Sequence, residues 1–152
     1  MVLTIVISVF RIEHSKQQNH LLVLPCMFRS ADSSLNVSYM GAWSLLPCGK
    51  NLVFGDFCYL NSDRKWRKAD ADQASTMPIA AMALGTISAN AEGIFLLSGV
   101  AHDDSWSWTV GGLLYASTTA GRLTQTAPSG TRNQVQAVGV ARAAPEILLN
   151  PS

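Results

Sequence analysis

The chain has 152 residues, of which 48% are hydrophobic and 14% are charged, and its formal net charge is +1. One domain with a sizeable core is expected at this length, and the apolar content excludes a disordered chain. The eleven Lys and Arg residues are scattered along the sequence, so nucleic acid is not an expected partner. So low a charge content is typical of a protein whose surface is partly covered by partners.

Residues 1–34 follow no clear pattern. The first ten, MVLTIVISVF, are too short to span a bilayer as a helix, and they lack the basic start and cleavage site of a signal peptide. Their β-branched content favours a strand. We expect residues 1–34 to be an attachment strand or the product of a start codon assigned too early, and we expect no membrane partner.

From residue 35 onward, short apolar runs alternate with turn residues. Strands are predicted at residues 35–46, 52–60, 64–68, 79–87, 94–100, 113–117, 122–126, 134–141 and 146–149. Strands that recur about every 8 to 12 residues are typical of sandwiches and barrels. Little helix is expected beyond one turn in the polar linker 69–76. The predicted fold class is all-β, a small β-barrel or sandwich of short antiparallel strands forming one domain over residues 35–152.

Residues 55–98 and 111–152 are predicted to be two pseudo-repeats. GDFCY, which ends at Tyr59, matches GGLLY, which ends at Tyr115. In both repeats a turn, a short strand, a polar linker and an apolar strand follow. Trp66 aligns with Leu123 after a shift of one residue. One copy alone could not bury its apolar face, whereas two copies can close on each other and leave few free edges.

Cysteine chemistry is not expected. Cys26, Cys48 and Cys58 are odd in number and form no CxxC pair, so neither a disulfide framework nor a zinc site is predicted. We interpret all three as small buried hydrophobic residues. No metal and no cofactor is expected.

A polar tip and two tryptophans are the candidate contact residues for a ligand or partner. His102, Asp103 and Asp104 form the tip, and Trp106 and Trp108 follow on one face of a predicted strand at residues 106–110. Exposed aromatic rings can stack on sugars or anchor a partner. The alternative, which we favour, is that Trp108 lies in the core, Trp106 lies nearer its rim, and the tip is a solvated turn.

No catalytic constellation is evident. The chain has no GxSxG, Walker or GxGxxG motif, and Ser98 in LLSGV lacks the first glycine of a nucleophile elbow. Asp70 and Asp72 alternate as calcium ligands do, but the required glycine and glutamate do not follow them. Because the aspartates show no spacing for an acid–base pair, a depolymerase is not favoured and no enzymatic activity is expected.

Residues 52–152 carry a family resemblance. The stretches FGDFCYLNSDRKWRKADADQASTMP, GGLLYASTTAGRLTQTAPSG and VQAVGVARAAPEILLNPS resemble β-rich modules of tailed-bacteriophage and prophage virion structural proteins. The resemblance implies a module at a tail fibre or tail tip, or one that decorates the capsid. It implies no catalytic residues.

Together, the residues and the resemblance lead to a functional expectation. We expect a non-enzymatic structural protein on the virion surface, assembled in the cytoplasm of the bacterial host and acting by β packing and oligomerisation. The expected partners are other copies of the chain, as a homotrimer, and other capsid or tail proteins. The alternative is a host-attachment module that binds surface glycans through the tip and the two tryptophans.

Overall fold

The computed structural model describes residues 27–29 and 37–151, so most of the predictions for residues 1–34 lie outside it. The all-β fold class is confirmed. The described strands are β1 (Met27–Arg29), β2 (Val37–Pro47), β3 (Phe57–Leu60), β4 (Trp66–Lys68), β5 (Ala81–Ala83), β6 (Glu92–Asp103), β7 (Leu113–Ala116), β8 (Leu123–Thr124), β9 (Ala137–Ala143) and β10 (Glu146–Leu149). A 3-10 turn at Ala74–Thr76 occupies the polar linker. Within these residues no helix has the length and apolar content needed to cross a membrane.

The long strand β6 is the centre of a curled antiparallel sheet. Strand β2 pairs with β6 along its whole length on one side. On the other side β5 pairs with the first half of β6 and β10 with the second half. The order along the sheet is β4-β3-β5-β6-β10-β9-β7-β8, and the two arms that diverge from β6 curl towards each other.

The two arms have the same connectivity. In each, a hairpin (β3–β4 or β7–β8) is followed by a strand that pairs with its first member and then by a strand at the centre of the sheet. Gly55 and Gly111 lie two residues before the hairpins, with φ of +80° and +78°, a left-handed conformation that favours glycine. Trp66 and Leu123 begin the second hairpin strands. Their offset of one residue reflects a hairpin loop that is one residue longer in the second arm.

Apolar side chains fill both faces of the first arm. The larger cluster lies between the two arms and includes Leu96 and Leu114. The smaller cluster lies on the opposite face and includes Phe95, whose ring stacks on Trp66 with centroids 5.3 Å apart. Because successive residues of a strand point to opposite faces, Phe95 and Leu96 of β6 serve one cluster each.

Loop contacts join the arms where they curl together. The N–H of Gly121 donates to the carbonyl of Ala69 (2.7 Å), and the N–H of Phe57 donates to the carbonyl of Gly121 (3.0 Å). The side-chain amide of Gln136 bonds both the N–H (2.8 Å) and the carbonyl (3.0 Å) of Ile79. These bonds satisfy backbone groups that the short strands leave unpaired.

Several predicted strand boundaries are wrong. The strand predicted at 52–60 begins only at Phe57, because the N–H of Asp56 donates to the carbonyl of Val53 (3.2 Å) and closes a turn. The strand predicted at 79–87 is confined to residues 81–83. The strand predicted at 94–100 is longer than expected and reaches Asp103, because β2 and then β10 pair with it to its end.

Candidate functional site

The predicted polar tip lies at the end of β6, where the chain leaves the sheet. The Oδ1 atom of Asp103 accepts the N–H of Ser105 (2.8 Å), and the carbonyl of Asp103 accepts the N–H of Trp106 (2.9 Å). An aspartate that bonds the backbone two residues ahead favours a turn. Residues 106–110 are therefore not the predicted strand but a loop.

The two predicted tryptophans are neighbours in this loop. Their ring centroids lie 6.2 Å apart, and the ring of Trp106 also stacks on Phe54 at 6.3 Å. Both indoles are half-buried and pack against the larger core cluster. The Nε1 atom of Trp108 is buried and has no hydrogen-bond partner among the described residues. These rings are thus part of the packing between the arms and are not fully exposed to solvent.

Trp106 is expected to matter for stability. Because its ring is half-buried against Phe54 and Trp108, we expect Trp106→Ala to lower the free energy of unfolding by about 2 kcal/mol. Val110→Ala, in the same loop at 62% exposure, should change it little. Urea unfolding measures both. If Trp106→Ala instead abolished binding to host-cell glycans without a loss of stability, the ring would be a ligand platform.

The tip is joined by two charged residues that sequence reasoning missed. The Nε2 atom of His102 lies 2.7 Å from Oδ1 of Asp104, and its Nδ1 lies 3.7 Å from Oε1 of Glu146. The second carboxylate oxygen of Glu146 lies 3.8 Å from Nε of Arg142. Glu146 reaches the tip because it is the direct cross-strand partner of His102. Alignment of the two repeats places β6 and β10 at equivalent positions and could have suggested that these strands pair. It could not have given the register of their pairing.

These charges form a surface network rather than a metal centre. Among residues 27–29 and 37–151, no group of three or more His, Cys, Asp or Glu side chains could hold a metal ion. Arg142 and Asp104 are largely exposed, at 60% and 59% of their side-chain areas. At such exposure, ion pairs contribute little to stability.

A fully buried carboxylate, Asp56, lies at the start of β3. Its Oδ2 atom accepts the N–H of Val53 (2.8 Å) and pairs with Nζ of Lys68 (2.9 Å). Its Oδ1 atom has no hydrogen-bond partner among the described residues and faces Gly121, where a Cβ would lie 2.9 Å away. The pair ties the turn before β3 to the end of β4.

Two of the predicted buried cysteines are buried, and Cys26 lies outside the described residues. Cys48 and Cys58 are free thiols with no exposed surface. Burial raises the pKa of the Cys58 thiol, and the nearby charge of Asp56 raises it further. Since the thiolate is the reactive form, the position of Cys58 disfavours nucleophilic chemistry.

Two open grooves mark the surface away from the tip. One, of about 260 Å³, is lined by Met77, Pro78 and residues 134–136. The other, of about 310 Å³, is lined mainly by Ser and Thr side chains between residues 117 and 133. None of the five predicted contact residues lines either groove.

An apolar row crosses the outer face of the second arm. Its four residues follow one another in register from β7 through β9 and β10 to β6. We name this row the outer stripe, and it consists of Leu113, Val140, Leu148 and Val100. Leu113 and Leu148 are 49% and 44% exposed, and the two valines are half-buried.

The outer stripe points away from the core on every strand. The residue that follows each of its members in the chain is buried in the larger cluster or beside it, and these residues are Leu114, Ala141, Leu149 and Ala101. Alternation along each strand therefore places the stripe on the opposite face. Large apolar side chains that line up on an exposed face are a feature of interaction surfaces.

In comparisons with protein-family models, with curated proteins and with solved structures, no match to this chain was found. The fold and the surface define an all-β module with a curled antiparallel sheet and an apolar row on its outer face.

Proposed function

We propose that this chain is a non-enzymatic structural protein of the virion surface of a tailed phage or prophage. It is placed at a tail fibre, at a tail tip or on the capsid, and it acts by β packing and oligomerisation. Its partners are further copies of the chain and other capsid or tail proteins, assembled in the cytoplasm of the bacterial host. The resemblance of residues 52–152 to phage modules supports the choice of virion.

The outer stripe is the observation that carries the assembly role. An exposed row such as Leu113 and Leu148 is costly to leave in water, at about 25 cal/mol for each Å² of apolar surface that a partner could cover. The low charge content of the chain, 14%, also suits a surface that is partly interface. The half-buried packing of Trp106 and Trp108 favours a structural role for them over host-glycan binding.

The test is whether the chain is found in phage particles. Cells that carry the gene are induced to release phage, particles are purified on a density gradient, and peptides are quantified by mass spectrometry. We expect the chain in the particle fraction at a fixed ratio to the major capsid protein. Recovery of the chain only from the particle-free lysate would refute a virion role.

A further inference from the structure

We infer that the outer stripe is a self-association face and that its occupant is a second copy of this chain. The two copies pack face to face about a two-fold axis that runs parallel to β10 and passes beside Leu148. The inference rests on the proposed function, because it names the partner and the surface for the proposed assembly. It also replaces the expected trimer with a dimer.

The position of the stripe is suited to two-fold packing. Strand β10 lies between β9 and β6, so Leu148 has an apolar neighbour of the stripe on each side, Val140 and Val100. A row that is apolar on both sides of its midpoint can lie on a copy of itself. Faces of two sheets that pack in this aligned way lie about 10 Å apart.

The charged residues beside the stripe select one of the possible two-fold axes. On one side of the stripe only, Glu146 of β10 pairs with His102 of β6, and Arg142, at the register shift of β9, reaches Glu146 at 3.8 Å. An axis parallel to β10 places β9 of one copy over β6 of the other. Arg142 of each copy then faces the tip of its partner, where Asp104 carries the opposite charge.

The other axis in the plane of the face lacks this complementarity. A two-fold axis along the stripe would set Arg142 and Glu146 opposite the uncharged side of the stripe, which includes Tyr115 and Ser98. Charges that lose water without a partner oppose binding. Glu146 lies near the chosen axis and therefore faces Glu146 of the second copy, and Arg142, 3.8 Å from it within the same copy, offsets this like-charge contact.

The size of the face sets the strength of the contact. Strands β7 and β10 have four residues each and are about 13 Å long, whereas β9, β6 and β2 can be covered over roughly 20 Å. At a strand spacing of about 4.8 Å, the face covers about 400 Å² per copy. Stable complexes usually cover about 800 Å² per partner, so the dimer is expected to be reversible with a micromolar Kd.

The first experiment compares two lysine substitutions by sedimentation and light scattering from low to high micromolar protein. We expect the wild-type chain to dimerise, and Leu148→Lys to raise Kd by at least about 30-fold. Leu60→Lys is the matched control, since Leu60 is 48% exposed but lies on β3, away from the stripe. It should leave Kd unchanged. Because Leu148 is exposed in one chain, circular dichroism should show that both variants fold.

A charge-reversal pair tests the orientation. Arg142→Asp and Asp104→Arg should each weaken the dimer, and the double variant should recover most of the lost affinity, because the two charges meet across the axis. A wild-type monomer at all concentrations, a trimer that Leu148→Lys leaves intact, or equal effects of Leu148→Lys and Leu60→Lys would each overturn the inference. So would binding of the stripe to lipid vesicles or a different protein in place of a second copy.

The two proposals fail in different ways. If the chain is present in phage particles but Leu148→Lys leaves its association unchanged, the virion role stands and this interface is wrong. If the chain is absent from particles but Leu148→Lys abolishes its dimer, the interface stands and the virion role is wrong.

Discussion

Replacing Gly139 with alanine is expected to lower the free energy of unfolding by about 3 kcal/mol or more. A Cβ at this position would overlap the backbone oxygen of Leu148 on the neighbouring strand. That oxygen belongs to the β9–β10 ladder and cannot move without breaking it. The direct cross-strand partners of Gly139 are Leu114 and Leu149, both fully buried, so the strands cannot separate without exposing the core.

Gly85→Ala is the matched control for this prediction. A Cβ on Gly85 would meet no atom within 4 Å, so we expect its unfolding free energy to stay within about 0.5 kcal/mol of the parent. Urea unfolding followed by tryptophan fluorescence measures both variants. Equal stability of Gly139→Ala and Gly85→Ala would show that β9 and β10 do not approach as closely as described.

Replacing Asp56 with alanine is expected to cost about 3 kcal/mol. The change removes the acceptor of the Val53 N–H and the partner of Lys68, and it leaves a cavity at a position with no exposed surface. The lysine side chain is 36% exposed and can regain water, which keeps the cost at the lower end for a broken buried pair.

Asp56→Asn separates the two functions of this side chain. Its amide can still accept the Val53 N–H but no longer carries the charge that pairs with Lys68, so an intermediate loss of stability is expected. Asp63→Ala, which removes the exposed pair between Asp63 and Arg67 (2.6 Å), is the control and should have a much smaller effect. Thermal unfolding measures all three. If Asp56→Ala is as stable as Asp63→Ala, the buried pair is not a structural link.

Local patterns predicted the elements of the fold well. Alternation and turn chemistry identified the regions of β2 to β10, since side-chain period and turn propensity act over a few residues. The boundaries were predicted less well where a side chain interrupts a strand. The polar side chain of Asp56 bends an apolar run, and Asp103 ends β6 and converts the predicted Trp106 strand into a loop.

The candidate site was predicted only in part. Sequence patterns identified His102 to Asp104 as a polar turn and favoured packed positions for the two tryptophans, but Glu146 and Arg142 were missed. Their approach to His102 depends on the pairing of β10 with both β6 and β9. The burial of Asp56 was also missed, because the residues that cover it are distant in sequence and include Gly121 of the other arm.

The sequence by itself determined that this chain forms one all-β sheet protein with little helix, since these properties follow from local side-chain alternation and turn residues. Only the tertiary structure decided that β6 joins two arms, that Leu113, Val140, Leu148 and Val100 form one row, and that charged residues of both signs lie along one side of it. The physical reason is the register of the strands in the sheet. A shift of one residue in any strand would turn its residue of the outer stripe towards the core, and the four side chains would no longer form one row.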